Sequence, residues 1–68
     1  MYTARDLIEY ENTRIRITST AGTVFEGEAL LVTWACDEPD ERDSIDIECD
    51  KGEIYCIFAD EIASVERI

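Results

Sequence analysis

The stretch Gly22-Thr23-Val24-Phe25-Glu26-Gly27-Glu28-Ala29-Leu30-Leu31-Val32-Thr33-Trp34-Ala35-Cys36 decides the fold. It opens on a turn glycine. Phe25, Gly27, Ala29 and Leu31 then fall on one face and Glu26 and Glu28 on the other, the period-two signature of a half-buried strand. From Ala29 to Cys36 the stretch is almost wholly apolar, and Leu30, Val32 and Trp34 continue the face that the two glutamates began. That face is either covered by another element of the chain or meets a second subunit. A glycine inside a strand marks a sharp bend or a close approach of backbone, so Gly27 predicts one of these.

Upstream, Arg14-Ile15-Arg16-Ile17-Thr18 alternates in the same way and reads as a strand joined to the first by the turn Ser19-Thr20-Ala21-Gly22-Thr23. Folding the two strands about that turn sets Arg16 opposite Glu26 and Arg14 opposite Glu28. Opposite charges on neighbouring strands stabilise by about 0.2–1 kcal/mol. Further upstream, Thr3 and Asp6 form a capping box, with Asp where Glu or Gln is usual, and Tyr2 and Leu7 stand at the two ends of a hydrophobic staple. Leu7, Ile8 and Tyr10 give a short helix over residues 4–11 its apolar stripe, and Asn12 is its stop. So short a helix is unstable alone and must pack on the strands.

Downstream, Ile45, Ile47 and Cys49 alternate with Asp46 and Glu48 in a third strand. Asp50-Lys51-Gly52 is a hairpin signal. A fourth strand follows, in which Ile54, Cys56 and Phe58 alternate with Tyr55 and Ile57. After a break at Ala59-Asp60-Glu61, the last strand sets Ile62, Ser64 and Glu66 on one side and Ala63, Val65 and Arg67 on the other. The expectation is one domain over residues 1–68, mainly β. A short N-terminal helix precedes a strongly bent five-stranded antiparallel sheet that closes into a small barrel, because closure removes exposed edges.

The chain has 68 residues, 17 acidic and 6 basic, no His, and a net charge of −11. The charge opposes broad contact with nucleic-acid phosphates and with anionic membranes. The lack of His removes the commonest general base and metal ligand. There is no nucleophile motif and no glycine-rich phosphate loop, so no catalysis and no cofactor are expected. The N-terminus carries no signal region, and no apolar run approaches the roughly 20 residues that span a bilayer. The three cysteines, Cys36, Cys49 and Cys56, are an odd count without metal-site spacing. Reduced thiols packed in the core of a cytoplasmic protein are the expected reading. Asp37, Glu38, Asp40, Glu41 and Asp43 make a dense acidic run, which reads first as a solvated hairpin tip and, if it recognises a partner, is the candidate site for a protein with a basic surface. Its spacing lacks the calcium-loop pattern, so no metal is expected there.

Ile15-x-Ile17 followed by Gly22-Thr23-Val24-Phe25-Glu26-Gly27-Glu28-Ala29-Leu30 resembles the first Sm motif: a turn glycine, an aromatic three residues on, and a glycine two beyond it. Residues Ile54 to Ile68 are similar to the last two short strands of Sm-like proteins, and the resemblance covers nearly the whole chain. It implies a bent five-stranded sheet and assembly through edge strands, the fourth of one subunit beside the fifth of the next. On that footing Trp34, Tyr55, Ile57, Ile62 and Ser64 are candidate interface residues of a homo-oligomer.

Typical Sm proteins form rings that bind RNA through loops after the second strand and before the fifth. Here those loops read Cys36-Asp37-Glu38-Pro39 and Phe58-Ala59-Asp60-Glu61, the latter without Arg or Gly, so no RNA-binding residue carries over. The acidic layout also resembles the small inhibitors of transcription termination factor Rho, which use an Sm-like fold to bind protein. The function expected is therefore a non-catalytic interaction and self-assembly module. The alternative is an RNA-binding ring.

Overall fold

The first turn of chain is fixed by its own side chains. The backbone N–H of Thr3 donates to the Asp6 carboxylate at 2.9 Å, the Asp6 half of the expected capping box, and the Thr3 hydroxyl donates to the same oxygen at 3.1 Å. In the computed structural model, which describes residues 2–35 and 42–68, this cap starts helix α1, Ala4–Leu7. A 3₁₀ turn, Ile8–Tyr10, extends it. The chain then reverses at Asn12, whose φ of +65° is the left-handed conformation that asparagine tolerates. Ala4 and Leu7 are the residues that bury, one turn apart, whereas Ile8 is 43% exposed, so the apolar stripe is narrower than expected.

Five strands follow: β1 Arg14–Ser19, β2 Val24–Thr33, β3 Ser44–Cys49, β4 Ile54–Phe58 and β5 Ile62–Arg67, with a 3₁₀ turn, Ala59–Glu61, before the last. They form one antiparallel sheet in the order β4-β3-β2-β1-β5. No ladder among the described residues joins β4 to β5, so both are edges and the sheet is open at that seam. Ring contact between Phe25 and Tyr55, with centroids 5.3 Å apart, brings the start of β2 against β4 across the interior.

Gly27 is where backbones meet. A Cβ placed on it would lie 2.1 Å from the Glu48 carbonyl oxygen and 2.9 Å from the Cys49 Cα. Only glycine lets β2 approach β3 so closely. At the hairpin between β3 and β4, Gly52 has φ +84° and donates to the Cys49 carbonyl at 2.9 Å.

Two register shifts correct the simple alternation. In β2, Ala29 pairs with Ile47 but Leu31 pairs with Asp46, so Leu30 is an extra residue, a β-bulge. Beyond it the phase inverts. Val32 turns inward beside Ile45, and Leu31 turns outward, 55% exposed, instead of joining Phe25, Gly27 and Ala29. The Glu11 carboxylate accepts the Val32 N–H at 2.8 Å, satisfying a donor next to the bulge. In β5 the shift falls at Ala63, because Ser64 pairs with Thr18 and Ile62 with Ser19. Ile62 and Val65 thus share the inner face rather than opposite ones.

Leu7, Ile15, Ile17, Ile45 and Ile47 are fully enclosed, with Val32, Ile57 and Ile62 nearly so. Each such aliphatic side chain contributes about 1.5–3 kcal/mol on leaving water. Among the described residues, every buried side-chain nitrogen or oxygen has a partner, and no helix is long and apolar enough to cross a membrane.

Candidate interaction surface

Of the acidic run, Asp37, Glu38, Asp40 and Glu41 lie outside the described residues. Asp43 lies within them, and its carboxylate is already engaged. Its two oxygens accept the backbone N–H of Ala4 at 2.7 Å and of Ala35 at 2.8 Å. These bonds, first that from Ala35 and then that from Ala4, hold the carboxyl below its ordinary pKa. Asp43 ties the N-terminal helix to the end of β2.

The interface candidates divide. Trp34 and Tyr55 are 44% and 39% exposed, and Ser64 is exposed on β5. Ile57 and Ile62 lie on the two edge strands but point into the core, 6% and 5% exposed. The Tyr55 hydroxyl donates to Glu53, which holds that phenol above its ordinary pKa. Between the β1–β2 turn and β4 lies an open hollow of about 250 Å³, lined by Ser19, Thr20, Phe25, Cys56, Ile57 and Glu61.

The cysteines do not act together. Cys49 is half-buried and continues the inward row of Ile45 and Ile47. Cys56 pairs with Asp46 and is exposed, contrary to the expected core packing. Cys36 lies outside the described residues. Among the described residues, no group of three or more His, Cys, Asp or Glu side chains is placed to hold a metal ion.

Most of the cations are turned inward on the chain's own groups. Arg16 opposes Glu26 on β2 and Glu66 on β5, the first as the sequence indicates, and bonds both carboxylates at 2.8 Å. Arg14 opposes Glu28, yet its guanidinium reaches Asp50 instead, at 2.9 Å. Arg42 bonds Asp60 at 2.7 Å, lies near Glu61 at 3.5 Å, and stacks over the Phe58 ring at 4.0 Å. Arg67 lies over the Tyr10 ring at 4.8 Å and donates to the Glu9 carbonyl at 3.2 Å. Among the described residues no ion pair engages Arg5 or Lys51.

The outer face of the sheet therefore has two unlike halves. Across β5, β1 and β2, the row Glu66–Arg16–Glu26 sets one guanidinium between two carboxylates. Across β2, β3 and β4, two rows carry no cation: Glu28–Glu48–Ile54 and Leu31–Asp46–Cys56. Glu28 and Glu48 are like charges directly opposite one another, an unfavourable pairing. Leu31 and Ile54, 55% and 59% exposed, flank the two β3 carboxylates. Plain alternation places Leu31 inside, so this half-face becomes visible only with the bulge at Leu30.

Comparison with known proteins gives no match: no family model fits the chain, and no curated protein or solved structure resembles it significantly.

Proposed function

We propose that the chain is a non-catalytic, acidic Sm-like domain that works in the cytoplasm as a protein-interaction and self-assembly module. The observation that carries this reading is the commitment of Arg14, Arg16 and Arg42 to carboxylates of their own chain, which leaves the strands without a basic patch for phosphate. The strand order and the preceding helix support the Sm-like reading, as does the glycine at the closest approach of β2 and β3. Two free strand edges support assembly, with β4 of one copy beside β5 of the next continuing the sheet across each seam. Unpaired edges left in water invite uncontrolled association, and pairing them removes that hazard.

One corner favours the alternative, an RNA-binding ring. Tyr2, Arg5 and Tyr10 line an open hollow of about 490 Å³, with Arg67 over Tyr10. Aromatic rings beside cations can stack bases. Asp6 and Glu9 line the same hollow and offset its charge, so we rank this reading second.

Light-scattering mass after size exclusion, with and without a short mixed RNA pool at about 0.15 M salt, separates the two, since charges beyond about 8 Å are screened there. The module reading expects a mass indifferent to RNA. A ring-sized mass that shifts with RNA overturns it.

A further inference from the structure

We infer that the outer face of β2, β3 and β4 is a docking surface for a basic amphipathic segment of a partner protein, one that sets an arginine between apolar anchors. The inference rests on the module reading and gives it a site. Two large aliphatic side chains, Leu31 and Ile54, project from this face beside its carboxylates, and Leu31 does so only because the bulge at Leu30 turns it out. They lie on either side of the central strand. Strands are spaced about 4.8 Å apart, so β2 and β4 run about 10 Å apart across β3, the width of one helix, with Leu31 and Ile54 diagonal to one another in adjacent rows.

Charge selects the occupant. Between and beside the two apolar side chains stand Glu28, Asp46 and Glu48, and no ion pair among the described residues reaches any of them. The same sheet shows what satisfies such carboxylates, because Glu26 and Glu66 bracket the Arg16 guanidinium. The row Arg14–Glu28–Glu48 lacks its counterpart, since Arg14 is drawn away to Asp50. A guanidinium from outside would relieve the repulsion between Glu28 and Glu48, while flanking aliphatic groups covered Leu31 and Ile54. An acidic or neutral apolar partner would bury these carboxylates unpaired, at a cost that disfavours it.

The test is a titration of the isotope-labelled full chain, followed by amide NMR shifts. The probe is a synthetic helical peptide with one stripe of arginines flanked by leucines. Shifts are expected at Glu28, Leu31, Asp46, Glu48 and Ile54. Leu31→Ser and Ile54→Ser should each weaken binding by about tenfold, as truncated anchors do. Both side chains are more than half exposed, so these variants should fold, and Glu48→Gln offers an isosteric third variant with weakened, less salt-sensitive binding. Glu9→Gln, away from this face, should leave affinity unchanged. Shifts that map elsewhere, or undiminished affinity in Leu31→Ser and Ile54→Ser, overturn the docking face and leave the module reading standing. No binding of the peptide also overturns the face. Only if the mass additionally shifts with RNA does the module reading fall with it.

Discussion

The Asp43 carboxylate and the backbone N–H of Ala4 lie 2.7 Å apart although 39 positions separate them in the chain. The other oxygen takes the Ala35 N–H. Hydrogen bonds to the charged form depress its pKa in the folded state, so ionised Asp43 favours folding. That contribution is present in full above the unfolded carboxyl value of about 3.9 and is lost as pH falls through the lower folded value. The melting temperature of Asp43→Ala should therefore fall below that of the wild type at pH 7. The gap should stay level down to about pH 5 and narrow below about pH 4. Thermal scans across pH check this, and a gap that widens in acid contradicts it.

Gly27 gives the sharpest stability test. A methyl group there meets the Glu48 carbonyl and the Cys49 Cα, both main-chain atoms that cannot swing aside. Gly27→Ala should cost on the order of 1–3 kcal/mol, the range for overpacking, by urea denaturation. Gly22, with nothing within 4 Å of its would-be Cβ, carries only the strain of φ +89°. Gly22→Ala should cost about 1–2 kcal/mol, the left-handed penalty alone.

The bulge at Leu30 predicts opposite fates for adjacent residues. Leu31→Ser, at an exposed site, should change stability by about 0.5 kcal/mol or less. Val32→Ser removes a buried side chain and encloses a hydroxyl, and should cost about 2 kcal/mol or more. Equal losses at the two sites would argue against the register shift.

Removing the Arg16 guanidinium leaves Glu26 and Glu66 facing a neutral side chain. Arg16→Met should lower the melting temperature, and added salt should recover part of the loss by screening the remaining carboxylates. Glu48→Lys should do the reverse of Arg16→Met, raising the melting temperature, because it replaces the like-charge pair with Glu28 by an attractive one and faces only Ile54 on its other side.

Much of this architecture was legible in the residues, for identifiable reasons. The capping box at Thr3 and Asp6 and the reversal at Asn12 are local, and local chemistry determines them. Arg14 and Arg16 fell opposite Glu28 and Glu26 because a hairpin fixes its own register. The side-chain partner of Arg14 was not legible, since Asp50 reaches it from a different hairpin. Leu31 and Val32 were assigned to the wrong faces because a bulge inserts one residue without a sequence marker as plain as a glycine or proline. The same applies to Ala63 and Val65. Asp43 read as one more acid in a run, because the N–H groups it holds belong to residues that only the tertiary fold brings near. The edge positions Ile57 and Ile62 were placed on the right strands, but which way each side chain points depended on the pairing.

Arg16 links three strands through two carboxylates, and its position has a consequence for how the sheet finds its alignment. Inward burial recurs every second residue, so a strand that slides by two places keeps its isoleucines inside and loses little hydrophobic contact. The apolar pattern cannot tell such a frame from the native one. The hairpin turn already fixes β1 against β2, whereas β5 is distant in sequence, and moving it by two places along β1 would carry Glu66 away from Arg16 and set Ser64 or Ile68 there instead. A single guanidinium, already bonded to Glu26, thus serves as a frame marker for β5 on β1, distinguishing alignments that water exclusion treats as equal.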